Sequence, residues 1–198
     1  MNDRNLKIAT LIASLLLAGW ALSSPWQRSD DTERVALVAS LGGQWVGRDA
    51  PSFELTDLEG RTHSLAEFQG QVVFLNFWGS FCKPCREEMP SMERLVRSYQ
   101  GQGLAMVAIS LDPEANDARA FMQEFLPGQR SAMTVLHDPT SKSAQRYGTE
   151  LLPETYIIDR QGRLVARFVN KYEWTRPEVK QLIEDLLADS STGSRPLL

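Results

Sequence analysis

The chain has 198 residues, 42% of them hydrophobic and 23% charged, which suits one ordinary globular domain with extensions. Its net charge is -4 and no block of five like charges occurs, so it lacks the basic surface that a nucleic-acid backbone requires. Only two cysteines are present, three residues apart, which excludes a framework of several disulfides. The pair is left as a local disulfide, part of a metal site or a redox couple.

Residues 1–7 form a basic segment with Arg4 and Lys7, and residues 8–22 are almost wholly apolar. No charge follows until Arg28. This pattern fits a signal anchor, because a bilayer span takes roughly 20 apolar residues. Trp20 and Trp26 could sit at the far interface. A cleaved signal peptide is the alternative, although Ala21-Leu22-Ser23 is a weak cleavage site beside the bulky Trp20. No cysteine follows the apolar run, so a lipid-modified N-terminus is excluded. The cations precede the run and Asp30, Asp31 and Glu33 follow it. The positive-inside rule then predicts a single-pass protein of the cytoplasmic membrane, with its folded part facing the periplasm or cell exterior.

Residues 23–34 read as a polar linker and 35–50 as an irregular lead-in, so that 23–46 precede a domain spanning 47–188. Phe53-Glu54-Leu55 is a short strand candidate and residues 58–61 a turn. Residues 72–78 (VVFLNFW) are apolar except for Asn76 and predict a central strand buried on both faces. Residues 83–99 have helical spacing, with Met89, Met92, Leu95 and Val96 on one side and Pro90 as an expected kink. A buried strand over 104–111, a helix over 115–125, a short strand over 133–136 and a short helix over 141–147 follow. Strands over 155–158 and 164–169 flank the Arg160-Gln161-Gly162 turn and predict a hairpin. A helix over 177–188 opens on Pro177, and residues 189–198 read as a disordered tail. Early alternation and a late hairpin predict an α/β fold in three layers, a mixed central sheet flanked by helices.

The segment Phe81-Cys82-Lys83-Pro84-Cys85 runs from the central strand into a helix. A helix N-terminus carries unpaired N–H groups and partial positive charge, which favour a thiolate. That places Cys82 as the exposed, low-pKa thiol and Cys85, one turn on, as the buried partner able to resolve a mixed disulfide on Cys82. Lys83 adds a cation and Pro84 stiffens the first turn.

The run VVFLNFWGSFCKPCREEMPSMERL resembles the membrane-anchored, extracytoplasmic thioredoxin-like oxidoreductases of the TlpA, ResA and cytochrome-c-maturation group. The resemblance extends over about residues 47–188, through Ala50-Pro51-Ser52-Phe53-Glu54-Leu55 and Leu152-Pro153-Glu154-Thr155-Tyr156-Ile157-Ile158-Asp159. It implies the thioredoxin-like fold and a catalytic set of Cys82, Cys85, Glu88 and Pro153. Pro153 matches the cis-proline that lies against the active-site disulfide and guards the thiols from metals. Glu88 matches the carboxylate this group keeps near the thiols, and Asn76 lies where cytoplasmic thioredoxins carry a buried acid. Phe81 departs from the usual Trp and is expected to keep an apolar collar. The resemblance also implies a reductase recharged by a membrane-embedded thiol carrier, acting on apocytochrome c or copper-handling proteins, with no cofactor and no metal.

Other readings of the same residues stand beside this one. A zinc site would need His63 and His137, whose spacing fits no zinc motif, and both histidines read as surface residues. A lone structural disulfide is a second possibility. A thiol peroxidase on this fold is a third, although the nearest hydroxyl, Ser80, lies two residues before Cys82. A non-enzymatic binding module or holdase is the fourth. Glu88 itself could be an ordinary helix-surface acid, Trp78 reads as packing, and Trp174 has no evident role.

Overall fold

The computed structural model describes residues 25–189, and the side chains of 32–189; the expected basic segment and anchor (1–22) lie outside this range, as does the tail from 190. The chain divides into two units, Met1–Leu37 and Val38–Leu198. Among the described residues no helix is long and apolar enough to cross a membrane.

The expected linker is helical instead. Helix α1 spans Pro25–Ser40. Residues 26–40 contain no Pro or Gly, so nothing in them breaks a helix, whatever their polarity. The helix stops at Gly42, whose φ of 79° lies in the left-handed region where glycine is favoured. Gly42 and Gly43 donate back to Ala39 and Val38 carbonyls. The expected irregular lead-in is also ordered. Strand β1 (Gln44–Asp49) pairs antiparallel with β8 (Arg163–Val169), so the folded domain starts before residue 47.

A hairpin follows, β2 (Glu54–Asp57) and β3 (Thr62–Ser64), turned by Asp57, whose carboxylate accepts from the backbone of Glu59 and Arg61. A 3-10 turn at Leu65–Phe68 leads to β4 (Val72–Trp78), and all seven of its residues are buried. Then come α2 (Lys83–Ser98), β5 (Leu104–Ser110), α3 (Ala115–Phe125), β6 (Thr134–His137) and α4 (Lys142–Tyr147). Strand β7 (Glu154–Ile158), β8 and α5 (Pro177–Ala188) complete the chain. Pro90 lies inside α2, yet the helix continues to Ser98.

The eight strands form one mixed sheet in the order β1-β8-β7-β4-β5-β6-β2-β3. β4 runs parallel to β5 and antiparallel to β7. Successive residues of a strand face opposite sides, and β4 divides accordingly. Val73, Leu75 and Phe77 join a core with Leu136, Ala144, Tyr147 and Tyr156. On the opposite side Phe74 meets Trp174 edge-on and Trp78 packs on Phe121 of α3. Asn76 lies between these two on the same side and is fully buried. The strand thus delivers one amide into an aromatic layer, directly beneath α2. This is the thioredoxin-like three-layer arrangement that the sequence predicts.

Candidate active site: a disulfide, a buried carboxyl and an amide

Cys82 and Cys85 are joined by a disulfide, with Cα atoms 5.3 Å apart. Cys82 is the N-cap of α2 in extended conformation, and its Sγ accepts from the Cys85 N–H at 3.3 Å. The sulfur therefore occupies the place of a capping oxygen, where the unpaired donors of the first turn favour negative charge. Cys82 is less open than the sequence suggests, 8% exposed against 0% for Cys85. The order of access still favours Cys82. Phe81, the residue before it, is 66% exposed, and its ring covers Gly79 so closely that a Cβ there would fall 2.5 Å from it.

The loop that presents Cys82 is held from below. Asp112, buried just after β5, accepts from the Ser80 N–H at 3.1 Å and from the hydroxyls of Ser80 and Ser110, each at 2.7 Å. The Leu111 N–H donates to the Trp78 carbonyl at 2.8 Å, fastening the end of β4 to the same strand. Sequence reasoning missed Asp112, because an acid after a strand looks like a solvated loop residue. The Ser80-Asp112 pairing has no local signature.

Glu88 lies one turn beyond Cys85 on α2 and is 3% exposed. Its Oε1 accepts from Asn76 Nδ2 at 2.9 Å. Its Oε2 accepts from the Tyr172 N–H at 3.0 Å and from Trp174 Nε1 at 3.3 Å. Burial drives the carboxyl pKa up to about 7, and the three donors only partly offset that. Glu88 is therefore no surface acid. Trp174 gains a role as well. Its indole closes on Glu88 while its ring is fully buried among Phe74, Phe168 and Tyr172. Ser91 joins the same loop to α2, accepting from Trp174 N–H and donating to the Glu88 carbonyl.

The Leu152–Pro153 peptide is cis. The Pro153 carbonyl accepts from the Asn170 N–H at 3.0 Å, so it is engaged with the end of β8. Glu154, next in sequence, is fully buried and ion-paired with Arg167, and this acid too was not anticipated. Leu151, on the other side of the proline, is 60% exposed.

The histidines are partly buried rather than free surface residues. His63 bridges Asp57 and Glu67 at the β2–β3 hairpin, and His137 contacts the Asp112 carbonyl at 2.8 Å. Among the described residues no group of His, Cys, Asp and Glu is arranged to hold a metal.

Comparison with known proteins agrees with this geometry. The AhpC/TSA family description matches residues 46–167. The thiol-disulfide oxidoreductase ResA of Geobacillus thermodenitrificans is 34% identical over 185 residues, 93% of this chain and 98% of that protein. The ResA of Geobacillus kaustophilus is 36% identical over 163 residues, 82% of this chain and 86% of that protein. A crystal structure from Chlorobium tepidum, provisionally assigned as the thiol:disulfide interchange protein DsbE, superimposes with a TM-score of 0.65 at 32% identity, covering 71% of this chain and 96% of that one. With its CxxC disulfide at the mouth of α2, the chain belongs to the AhpC/TSA family and to the ResA group of thiol–disulfide oxidoreductases.

Proposed function

We propose that the chain is an extracytoplasmic disulfide reductase in which Cys82 attacks, Cys85 resolves and Glu88 moves the proton. The observation that carries this reading is a disulfide at a helix N-terminus with a desolvated carboxyl one turn deeper. In the reduced protein, Cys82 thiolate attacks one sulfur of a substrate disulfide and expels the other as thiolate. A mixed disulfide forms on Cys82. Glu88 takes the Cys85 proton, directly or through water, and the Cys85 thiolate then attacks Cys82 Sγ and displaces the substrate sulfur bonded to it. The Cys82–Cys85 bond forms, two electrons pass to the substrate, and its two thiolates become a dithiol with one proton from Glu88 and one from solvent. A carboxyl poised near neutrality is suited to accept and release that proton at working pH.

The exposed Phe81 and Leu151 flank the two ends of the site in sequence and offer apolar contact to a polypeptide around its cysteines. Pro153, lacking an N–H, presents no donor to the sulfurs. Residues 8–22 supply the membrane anchor in this reading, and a membrane-embedded thiol carrier recharges the disulfide. The substrates are apocytochrome c or copper-handling proteins. The AhpC/TSA relationship keeps thiol peroxidase chemistry in view, but the Ser80 hydroxyl is committed to Asp112.

The deciding experiment is trapping. Full-length Cys85→Ser protein should accumulate a mixed disulfide with its substrate on Cys82, identified by mass spectrometry. Peroxide consumption by the wild type without such an adduct would reject the reductase in favour of the peroxidase. Failure of the wild type to reduce any protein disulfide would favour a binding module.

A further inference from the structure

The Asn76 side chain is asymmetric in its bonding. Nδ2 donates to Glu88 Oε1 and to Thr155 Oγ1, each at 2.9 Å. Its Oδ1 is buried and has no partner among the described residues. A buried acceptor left unpaired in a fully enclosed side chain calls for an explanation. Among the described residues no donor bonds Oδ1, so the hydrogen bonds that orient the amide are those to Glu88 and Thr155.

Those two partners do not make a fixed demand. An ionised Glu88 only accepts, and the amide must then offer its NH2. A protonated Glu88 carries an O–H, which needs an acceptor. Of the groups that touch Glu88, the Tyr172 N–H and the Trp174 indole are donors in every state. Among the described residues Asn76 is the one contact able to change from donor to acceptor, by rotating its amide through half a turn. Thr155 permits the change, since a hydroxyl accepts from NH2 in one orientation and donates to the oxygen in the other.

We propose that Asn76 is a proton-linked amide switch, a positioning residue that gives Glu88 a donor when ionised and an acceptor when protonated. In the catalytic cycle, which rests on the reading of Glu88 above, the proton leaving Cys85 arrives on Glu88 and is held there by Asn76 Oδ1. When the proton leaves Glu88, the NH2 swings back. The amide rotation itself exchanges only hydrogen bonds; the covalent change is the Cys85 S–H bond broken and the Glu88 O–H bond formed. The O–H proton then passes to the substrate thiolate, and the S–H bond is restored when the disulfide is next reduced.

Several other ionisable groups on the surrounding elements are paired off. Strand β4 brings none to Asn76, and β7 brings Glu154, held by Arg167. On α2, Glu87 is held by Lys171, and Cys82 and Cys85 are joined to each other. In the 170–176 loop, Glu173 contacts Arg94, and Arg176 lies over the Tyr172 ring. None of these hydrogen-bonds to the Glu88 carboxyl among the described residues.

The test uses the oxidised protein, in which the cysteines do not titrate and catalysis plays no part. With the side-chain amide of Asn76 labelled with nitrogen-15 and the Glu88 carboxyl with carbon-13, both are followed by NMR from pH 5 to 9. At pH 9 the amide protons should show a strong nuclear Overhauser contact to the Thr155 methyl. At pH 5 that contact should weaken several-fold, with the midpoint of the Glu88 carboxyl titration. In Glu88→Gln protein the contact should not change with pH. A contact of constant strength while Glu88 titrates overturns the switch, and so does a pH-dependent contact in Glu88→Gln. Either result leaves the trapping experiment on Cys82 unaffected.

Discussion

Replacing Glu88 with Gln should change how stability depends on pH, and the size of the change follows from burial. Glu88 is 3% exposed, and its pKa rises from 4.5 to about 7 in the folded protein. The unfolded chain therefore releases this proton near pH 4.5, while the folded chain holds it to about pH 7. Between those values the folded state binds more protons, so stability falls as pH rises. The favourable contribution is complete below pH 4.5 and is lost by the time pH has passed through about 7. At roughly 1.4 kcal/mol per pH unit, the loss amounts to about 3 kcal/mol. Gln is nearly isosteric and cannot ionise, so the variant lacks this loss. Its NH2 can take the place of the protonated acid's O–H towards Asn76, and any difference in that contact does not vary with pH. Oxidised wild type and variant should be unfolded in urea at constant ionic strength from pH 4 to 8. The difference between their unfolding free energies should move by about 3 kcal/mol in the variant's favour over that range. Asp57, Asp138 and Asp159 also titrate abnormally, but they are common to both proteins and cancel in the difference. Parallel profiles for the two proteins would refute the argument that Glu88 is a desolvated acid.

Trp174→Phe removes one of three donors to the Glu88 carboxylate while keeping a ring in place; carbon-13 NMR of the carboxyl should show its titration move upward from about 7, and no movement would separate the indole from the acid. Asp112→Ala strands the Ser80 N–H and two hydroxyls, and should lower stability by about 1–3 kcal/mol in urea unfolding and slow disulfide reduction, because the loop before Cys82 loses its tether. Phe81→Ser combined with Leu151→Ser should raise KM for a protein disulfide and leave reduction of a small aromatic disulfide unchanged, since both side chains are exposed and neither bonds to the sulfurs. Alkylation of reduced protein with iodoacetamide should modify Cys82 before Cys85, as their exposures of 8% and 0% require, and the reverse order would exchange their proposed roles.

The centre of the fold was legible because β4 has no choice of environment. Six apolar residues and one amide in seven positions fit a strand covered on both faces, and the β4 pattern alone placed Asn76 in the interior. The CxxC at the strand-to-helix junction was legible for a similar local reason. The N-terminal elements were not. Residues 25–40 carry Ser29, Asp30, Asp31, Thr32 and Glu33 in succession, and such composition suits a solvated helix as well as a linker. Strand β1 is exposed or half-exposed at every position and bulged near Gly47, so it shows no alternation to read. The buried acids divided in the same way. Glu88 was anticipated through the family resemblance, with its place one turn after Cys85 in support. Asp112, Glu154 and the Trp174 indole depend on contacts between distant segments, and no periodicity reports those.

The two groups that bond Glu88 Oε2 come from positions 84 and 86 residues later in the chain. This separation sets an order of events during synthesis. Cys82 and Cys85 leave the ribosome long before Tyr172 and Trp174 exist, and for that interval Glu88 lacks two of its three partners. A chain that stops short of the 170–176 loop would carry the full CxxC sequence with an acid of different strength. The donor set around Glu88 is thus complete only once the 170–176 loop has been made, and the acid takes its final strength after the cysteines are already in place.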